Sequence, residues 1–153
     1  MKEFFMAKEK KQSFEDDFNA FSEKCAEKKL RLTPLRAGVW ECLHKTKKPA
    51  GAYDIVKMLE NAGVDAPPVS VYRVLDFLVE NGFAHRLPAS GTYLLCRREG
   101  QCAAPAFLFC LQCRTVEEVP AGKLFKEIKK SAGKFKIKSA AVVVEGICQK
   151  CRK

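Results

Sequence analysis

Apolar residues return at steps of three and four from Phe14 onward, at Phe14, Phe18, Phe21, Cys25 and Ala26. That period predicts an amphipathic helix ending near Leu30. Thr33 and Pro34 then supply an N-cap and a first helical residue. The helix they open carries Val39, Trp40 and Leu43 to about Lys45. Lys47-Lys48-Pro49-Ala50-Gly51 reads as a turn, and a third helix runs from Ala52 with Ile55, Val56 and Leu59 on one face. It stops near Gly63, and Pro67-Pro68 breaks the chain again. A fourth helix shows the clearest stripe, Val71, Val74, Leu75, Leu78 and Val79, closed by Asn81-Gly82. Two short extended runs follow, His85-Arg86-Leu87 and Thr92-Tyr93-Leu94-Leu95, joined through Pro88-Ala89-Ser90-Gly91 as a hairpin. Helices followed by a hairpin predict a winged helix-turn-helix.

Beyond a linker at Arg98-Glu99-Gly100-Gln101, the pattern changes. Phe107-Leu108-Phe109 and Thr115-Val116-Glu117-Glu118-Val119 predict two strands. A helix follows with Leu124, Phe125 and Ile128 inward, and Ala140-Ala141-Val142-Val143-Val144 predicts a buried strand. The expected fold class is α+β, with domains at 1–98 and 99–153 and residues 1–13 frayed.

Four cysteines change the picture of that second part. Cys110-Leu-Gln-Cys113 and Cys148-Gln-Lys-Cys151 each hold two intervening residues. That spacing lets one tight turn aim two thiolates at one ion, and two such turns complete the tetrahedral shell of structural zinc. A core of about fifty residues is marginal without a staple. Structural zinc supplies roughly 10–16 kcal/mol of binding energy coupled to folding. The closed shell leaves no position for water or substrate. Cys25 and Cys42 stand on helical patterns and read as buried small side chains.

The chain has 153 residues, 47% of them hydrophobic, which fits a globular protein and excludes a disordered one. No run approaches the ~18 apolar residues of a membrane span. The N-terminus shows no signal segment, so a cytoplasmic location is expected, with paired cysteines holding metal instead of forming disulfides. The net charge is +10 and uneven. Residues 100–153 carry 11 Lys and Arg against 4 Asp and Glu, a charge of +7 before any zinc is counted, leaving +3 for residues 1–99. That balance permits an acidic partner such as DNA. Glu117 and Glu118 are adjacent on a strand and point to opposite faces, and no catalytic constellation is visible, so no enzyme activity and no small-molecule substrate are expected.

The fourth helix is the candidate DNA reader. Opposite its apolar stripe lie Ser70, Tyr72, Arg73, Asp76 and Phe77, with the first three in its opening turn. The N-terminal part of a recognition helix meets base edges, and an arginine there can grip guanine bidentately. Tyr53, opening the third helix, is a further candidate contact. An ordinary solvated helix face would show the same residue types.

Leu32-Thr33-Pro34-Leu35-Arg36, Ala52-Tyr53-Asp54, Val71-Tyr72-Arg73-Val74-Leu75-Asp76-Phe77-Leu78, Gly82-Phe83-Ala84-His85 and the paired knuckles together resemble the ferric uptake regulator family of metal-sensing repressors. The resemblance spans roughly residues 14–151. It implies a DNA-binding winged helix followed by a small α/β dimerisation domain carrying the four-cysteine zinc. Cys25-Ala26-Glu27, Pro67-Pro68 and Tyr93-Leu94-Leu95-Cys96 look most similar to the zinc uptake regulator branch, whose base-reading tyrosine and arginine fall on Tyr53 and Arg73. One departure concerns the metal. Iron and peroxide sensors of the family place a histidine-rich run before the first CxxC, whereas residues 102–109 here contain no histidine and the whole chain has only His44 and His85.

The branch also implies a regulatory hinge site of His, Cys, His and Glu. Carried over residue by residue, these are His85, Cys96 and Glu118, with the second histidine missing. Cys102 is the only ligand-capable residue near that slot and is assigned to it. The resemblance thus implies two zinc ions per chain, a homodimer, and repression of zinc-uptake genes at a pseudo-palindromic operator in double-stranded DNA. An N/S/S/O shell suits zinc better than iron or manganese, because thiolates are soft. Three alternatives stand beside this. Cys96 and Cys102 could pair as a disulfide, the chain could sense another metal or a thiol oxidant, or it could buffer zinc without binding DNA.

Overall fold

The structure is a computed structural model of the chain and describes residues 13–46, 48–88, 90–96, 106–137 and 140–152. It comprises two compact units, Met1–Thr33 and Pro34–Lys153. The expected domain boundary at 98/99, residues 1–12 of the stretch 1–13 expected to be frayed, and Cys102 lie outside the described residues, whereas Ser13 is described and caps the first helix.

The first unit contains helix α1, Phe14–Glu27. Ser13 caps it: its Oγ accepts from the Asp16 N–H at 3.2 Å, and Asp16 Oδ2 accepts from the Ser13 N–H at 3.3 Å. This reciprocal box satisfies two donors that a helix start would leave open. The helix ends at Glu27, three residues before the expected stop. Lys29 turns left-handed at φ 54°, so its N–H reaches Ala26 O at 2.9 Å while the Leu30 N–H reaches Cys25 O at 2.8 Å. That paired closure terminates the helix. Phe21 and Cys25 are buried, as their spacing predicts.

The second unit opens with three helices, α2 Pro34–Thr46, α3 Ala52–Asn61 and α4 Pro68–Glu80. Val39, Trp40, Leu43, Ile55, Leu59, Val71, Leu75 and Leu78 are buried and form the apolar stripes of these helices. The approach of α2 to α3 is close at Gly38, where an added Cβ would meet Leu59 Cδ2 at 3.2 Å. Cys42 is also buried, and desolvation pushes its thiol pKa up, as befits an inert core thiol.

Helix α4 ends on Asn81, and Gly82 takes the left-handed conformation (φ 78°) that bends the chain straight into β1. Strands β1 Ala84–Leu87 and β2 Thr92–Leu95 form an antiparallel hairpin with His85 opposite Leu94. Ala50 bridges to Tyr93, tying the α2–α3 turn to the hairpin. Three helices and a two-stranded wing are the expected winged helix-turn-helix.

A second sheet has the order β4-β3-β5, with β3 Ala106–Cys110, β4 Val116–Val119 and β5 Val142–Gly146. Strand β3 pairs antiparallel with β4 and parallel with β5. Helix α5, Gly122–Ser131, makes the connection with Phe125 buried. The hairpin meets this sheet through Leu87, Leu94 and Phe107, against which Val116 and Val143 pack. The last strand corrects an expectation. It begins at Val142, not Ala140, and Val144 is 52% exposed, because β5 is an edge strand and not a buried one. Among the described residues, no helix is long and apolar enough to cross a membrane.

Candidate metal centre and nucleic-acid interface

Sheet register assembles the four-cysteine site. Parallel pairing sets Cys110 beside Gly146, so β3 and β5 both run into their knuckles at the same end. The first knuckle closes through Arg114, whose N–H donates to Cys110 O at 2.9 Å and whose φ is 61°. A left-handed arginine costs about 1–2 kcal/mol. The second knuckle closes as the Cys151 and Arg152 N–H groups donate to Cys148 O at 3.0 and 2.9 Å.

Ligand atoms of Cys110, Cys113, Cys148 and Cys151 all lie within 4.8 Å of one another. A tetrahedral ion with bonds of about 2.3 Å needs sulfurs about 3.8 Å apart. The Cys113 and Cys148 sulfurs are 3.7 Å apart, so the cage fits zinc. Its electrostatics fit as well. The backbone N–H of Cys113, then those of Cys148 and Gln112, hold the Cys110 thiol down to about 6. The Thr115 hydroxyl, 3.2 Å from Cys113 Sγ, lowers Cys113. The neighbouring Cys148 thiol pushes Cys151 up to about 12. Four thiols this close cannot all ionise without a cation among them.

The hinge residues are placed differently. His85 sits on β1, and its register partner is Leu94. The Cys96 N–H donates to Phe83 O at 2.9 Å, which extends the ladder by one pair. Residues two apart on a strand share a face, so His85 and Cys96 are diagonal neighbours on one face of the hairpin. Glu118 lies on β4 opposite Phe107, and the Phe107 ring meets the His85 imidazole edge-on at 5.3 Å. Glu117 is exposed and Glu118 half-buried, which agrees with their predicted opposite faces. Phe107 therefore links the histidine to the glutamate's side of the sheet. Among the described residues, the four-cysteine set is the only group of three or more His, Cys, Asp or Glu whose ligand atoms close to 4.8 Å. His85, Cys96 and Glu118 approach one region without reaching a common ligand distance.

One atom marks that region. His85 is buried, and its Nε2 has no hydrogen-bond partner. Native interiors rarely leave such an atom unpaired, because it costs about 1–3 kcal/mol. An imidazole nitrogen buried beside a thiol and a carboxylate strand has the chemistry of a zinc ligand.

On the DNA side, α4 begins at Pro68 with no acidic residue in its first turn. Tyr72 is 40% exposed, Arg73 is exposed and Ser70 half-buried. Tyr53, at the start of α3, is 65% exposed. The structure adds Val69, 61% exposed, which sequence reading missed. Val69, Tyr72, Arg73 and Asp76 recur at i, i+3, i+4 and i+7, the mirror of the buried stripe. The missed signal was the period itself: an apolar residue in phase with the polar face. Phe77, expected on that face, is half-buried at its edge.

Known proteins supply the comparison. The sequence profile of the ferric uptake regulator family matches residues 27–145. The zinc uptake regulation proteins of Escherichia coli (strain K12) and Shigella flexneri are each 32% identical over 130 residues, 83% of this chain and 76% of theirs. A solved zinc uptake regulator complexed with zinc and DNA superposes with a TM-score of 0.82 at 29% identity, covering 90% of this chain and 93% of that one. Crystalline holo XcZur gives 0.79 at 30% identity, covering 88% and 96%. The motifs, the fold and these matches agree, and the chain belongs to the ferric uptake regulator family.

Proposed function

We propose that this chain is a zinc-responsive transcriptional repressor that binds operator DNA as a homodimer when a regulatory site is loaded. The observation that carries this is the relative solved with both zinc and DNA, matched over nine-tenths of this chain. It is a regulator and not an enzyme. Residues 1–98 form the DNA-reading part and residues 99–153 the dimerising part. Its place of action is the cytoplasm, where DNA is present and thiols stay reduced.

Each chain takes two zinc ions in this reading. Cys110, Cys113, Cys148 and Cys151 hold the structural ion, which staples the sheet that builds the dimer. His85, Cys96, Cys102 and Glu118 hold the regulatory ion, which supplies a cross-link between the hairpin and the second sheet. The unpartnered His85 nitrogen supports the first of these ligands. Tyr53, Ser70, Tyr72 and Arg73 meet the DNA. Strand β5 offers the dimer contact: its outer edge is unpaired among the described residues, and Val144 and Ile147 are exposed beside it. A long apolar edge is a liability unless something covers it.

A gel shift on a candidate operator, with zinc and with a chelator, tests the reading. A sequence-specific complex that forms only with zinc is expected. If no such complex appears, the repressor reading fails. Titration of Cys102→Ala with zinc tests the least constrained ligand: unchanged regulatory affinity would remove Cys102 from the site.

A further inference from the structure

Helix α4 exposes a residue that the proposed DNA contacts leave unused. Val69 is the second residue of α4 and is 61% exposed. Val71, Val74, Leu75 and Leu78 on the same helix are buried. At about 100° per residue, the mean direction of those side chains points into the core, and Val69 lies within about 10° of the opposite direction. Arg73 lies about 30° from that outward direction, Tyr72 about 70° and Ser70 about 90°. Val69 is therefore the most outward-directed side chain in the first turn of the DNA-reading helix.

Scattered exposed apolar side chains are ordinary on a protein surface, so exposure alone assigns nothing. Position does more. A recognition helix enters the major groove with its N-terminal residues against base edges, and the side chain aimed away from the core is the one aimed at the groove floor. Valine has no donor or acceptor to offer there. Packed against the polar edges of guanine, adenine or cytosine, it would leave their hydrogen-bonding groups unsatisfied. Thymine alone presents a methyl group in that groove. The first turn of α4 has no acidic residue to repel the duplex. Its carboxylates, Asp76 and Glu80, stand about 10 Å or more further along the axis.

We propose that Val69 is a specificity-determining residue that packs on a thymine methyl group in each half-site of the operator. Arg73, one turn along, reads a base by hydrogen bonds, while Val69 reads another by apolar contact. This assignment rests on the DNA-binding reading. A bland role is the competitor, in which Val69 meets only solvent and any thymine contact belongs to Tyr72.

Deoxyuridine, which pairs as thymidine does but lacks the methyl group, separates the two. Full-length, zinc-loaded protein would be titrated by fluorescence anisotropy on operator duplexes in which dyad-related thymines are replaced by uridine, one pair at a time. One position is expected at which methyl removal weakens wild-type binding about fourfold per half-site, the usual value of one buried carbon group. Val69→Ala should weaken the unmodified operator by a similar factor and lose its sensitivity to uridine at that position alone, so that the two changes are non-additive. Its affinity for unrelated duplex, its salt dependence and its melting temperature should stay at wild type, since Val69 touches no phosphate and supports no core. Tyr72→Ala should keep the uridine penalty at the Val69 position. A full uridine penalty at every position in Val69→Ala would overturn the assignment, as would a penalty abolished by Tyr72→Ala instead. Equal weakening on operator and unrelated duplex would overturn it in favour of a backbone contact. Wild-type binding indifferent to every uridine would overturn it while leaving the DNA-binding reading intact. If the wild-type protein itself forms no specific complex, the DNA-binding reading falls and Val69's role falls with it, an outcome that is distinct because it precedes any variant.

Discussion

His85 is the residue at which stability and function pull apart. Its buried Nε2 lacks a hydrogen-bond partner, which costs about 1–3 kcal/mol in the metal-free fold. Leucine has a similar volume and no polar atom. His85→Leu should therefore leave the melting temperature of protein holding only structural zinc unchanged or raised, while zinc no longer increases operator affinity. A destabilised variant that still responds to zinc would show that the nitrogen has an ordinary structural role. The cysteines make a separate prediction through their protons. Cys110 is held down to about 6 and Cys151 up to about 12. At pH 7 the first is already a thiolate, while the second still carries a proton that an incoming ion must displace into solvent. Zinc loading at pH 7 should thus release fewer than four protons per four-cysteine site, and the number should rise as pH falls through 6. The sign follows from Cys110 regaining a proton that zinc must then displace, so loading weakens in acid. Calorimetry in buffers of different ionisation enthalpy measures the release, and a constant number across that range would contradict the assignment.

At the scale of elements, β5 has the most to explain. Val142 and Val143 are half-buried, Val144 is exposed, and the outer edge is unpaired among the described residues. If that edge is the dimer contact, Val144→Lys places a charge where two copies must meet. Its dimer dissociation constant should rise at least about tenfold, equivalent to ~1.4 kcal/mol, while zinc content stays near wild type. Analytical ultracentrifugation with zinc analysis decides this, and an unchanged dimer would move the interface elsewhere. The same strand shows where sequence reading stops. A valine run looks alike whether its partner is the chain's own core or a second copy, since periodicity reports burial and not the identity of what buries it. The helices were legible because their stripes and end signals are local: Pro34, Pro68 and Asn81-Gly82 sit where α2, α4 and the turn into β1 require them. The CxxC pairs were legible because spacing alone brings each pair of thiols together, although only the parallel β3–β5 register unites the two knuckles. Val69 was missed because an apolar residue on an exposed stripe contradicts the pattern used to find cores. The hinge set was legible only through resemblance, since His85, Cys96 and Glu118 come from three segments that tertiary packing alone brings near one another.

At the scale of the whole molecule, the question is how the proposed regulatory ion at the hairpin would alter DNA binding. The hairpin rests on the second sheet through Leu87, Leu94 and Phe107, with Val116 and Val143 packed beside them. Such a small apolar contact holds its arrangement weakly, so a ligand that joins β1, the end of β2 and β4 favours one arrangement over its alternatives. Zinc can shift that equilibrium only by its differential affinity for the two states. Linkage then requires operator DNA to tighten zinc binding by the same factor that zinc tightens operator binding, within the roughly 5- to 150-fold range usual for coupled sites. Competition with a chromophoric chelator, with and without operator, measures that factor from the zinc side. Anisotropy at fixed free zinc measures it from the DNA side. Arg73→Ala should weaken operator binding by about 1–3 kcal/mol, the usual value of a bidentate base contact, while leaving the coupling factor intact, because it removes a contact and not the switch. His85→Leu should reduce the factor to one while leaving zinc-free DNA binding as it was. Operator that does not change zinc affinity at all would mean that the metal near His85 stabilises the fold without controlling the DNA-reading helices.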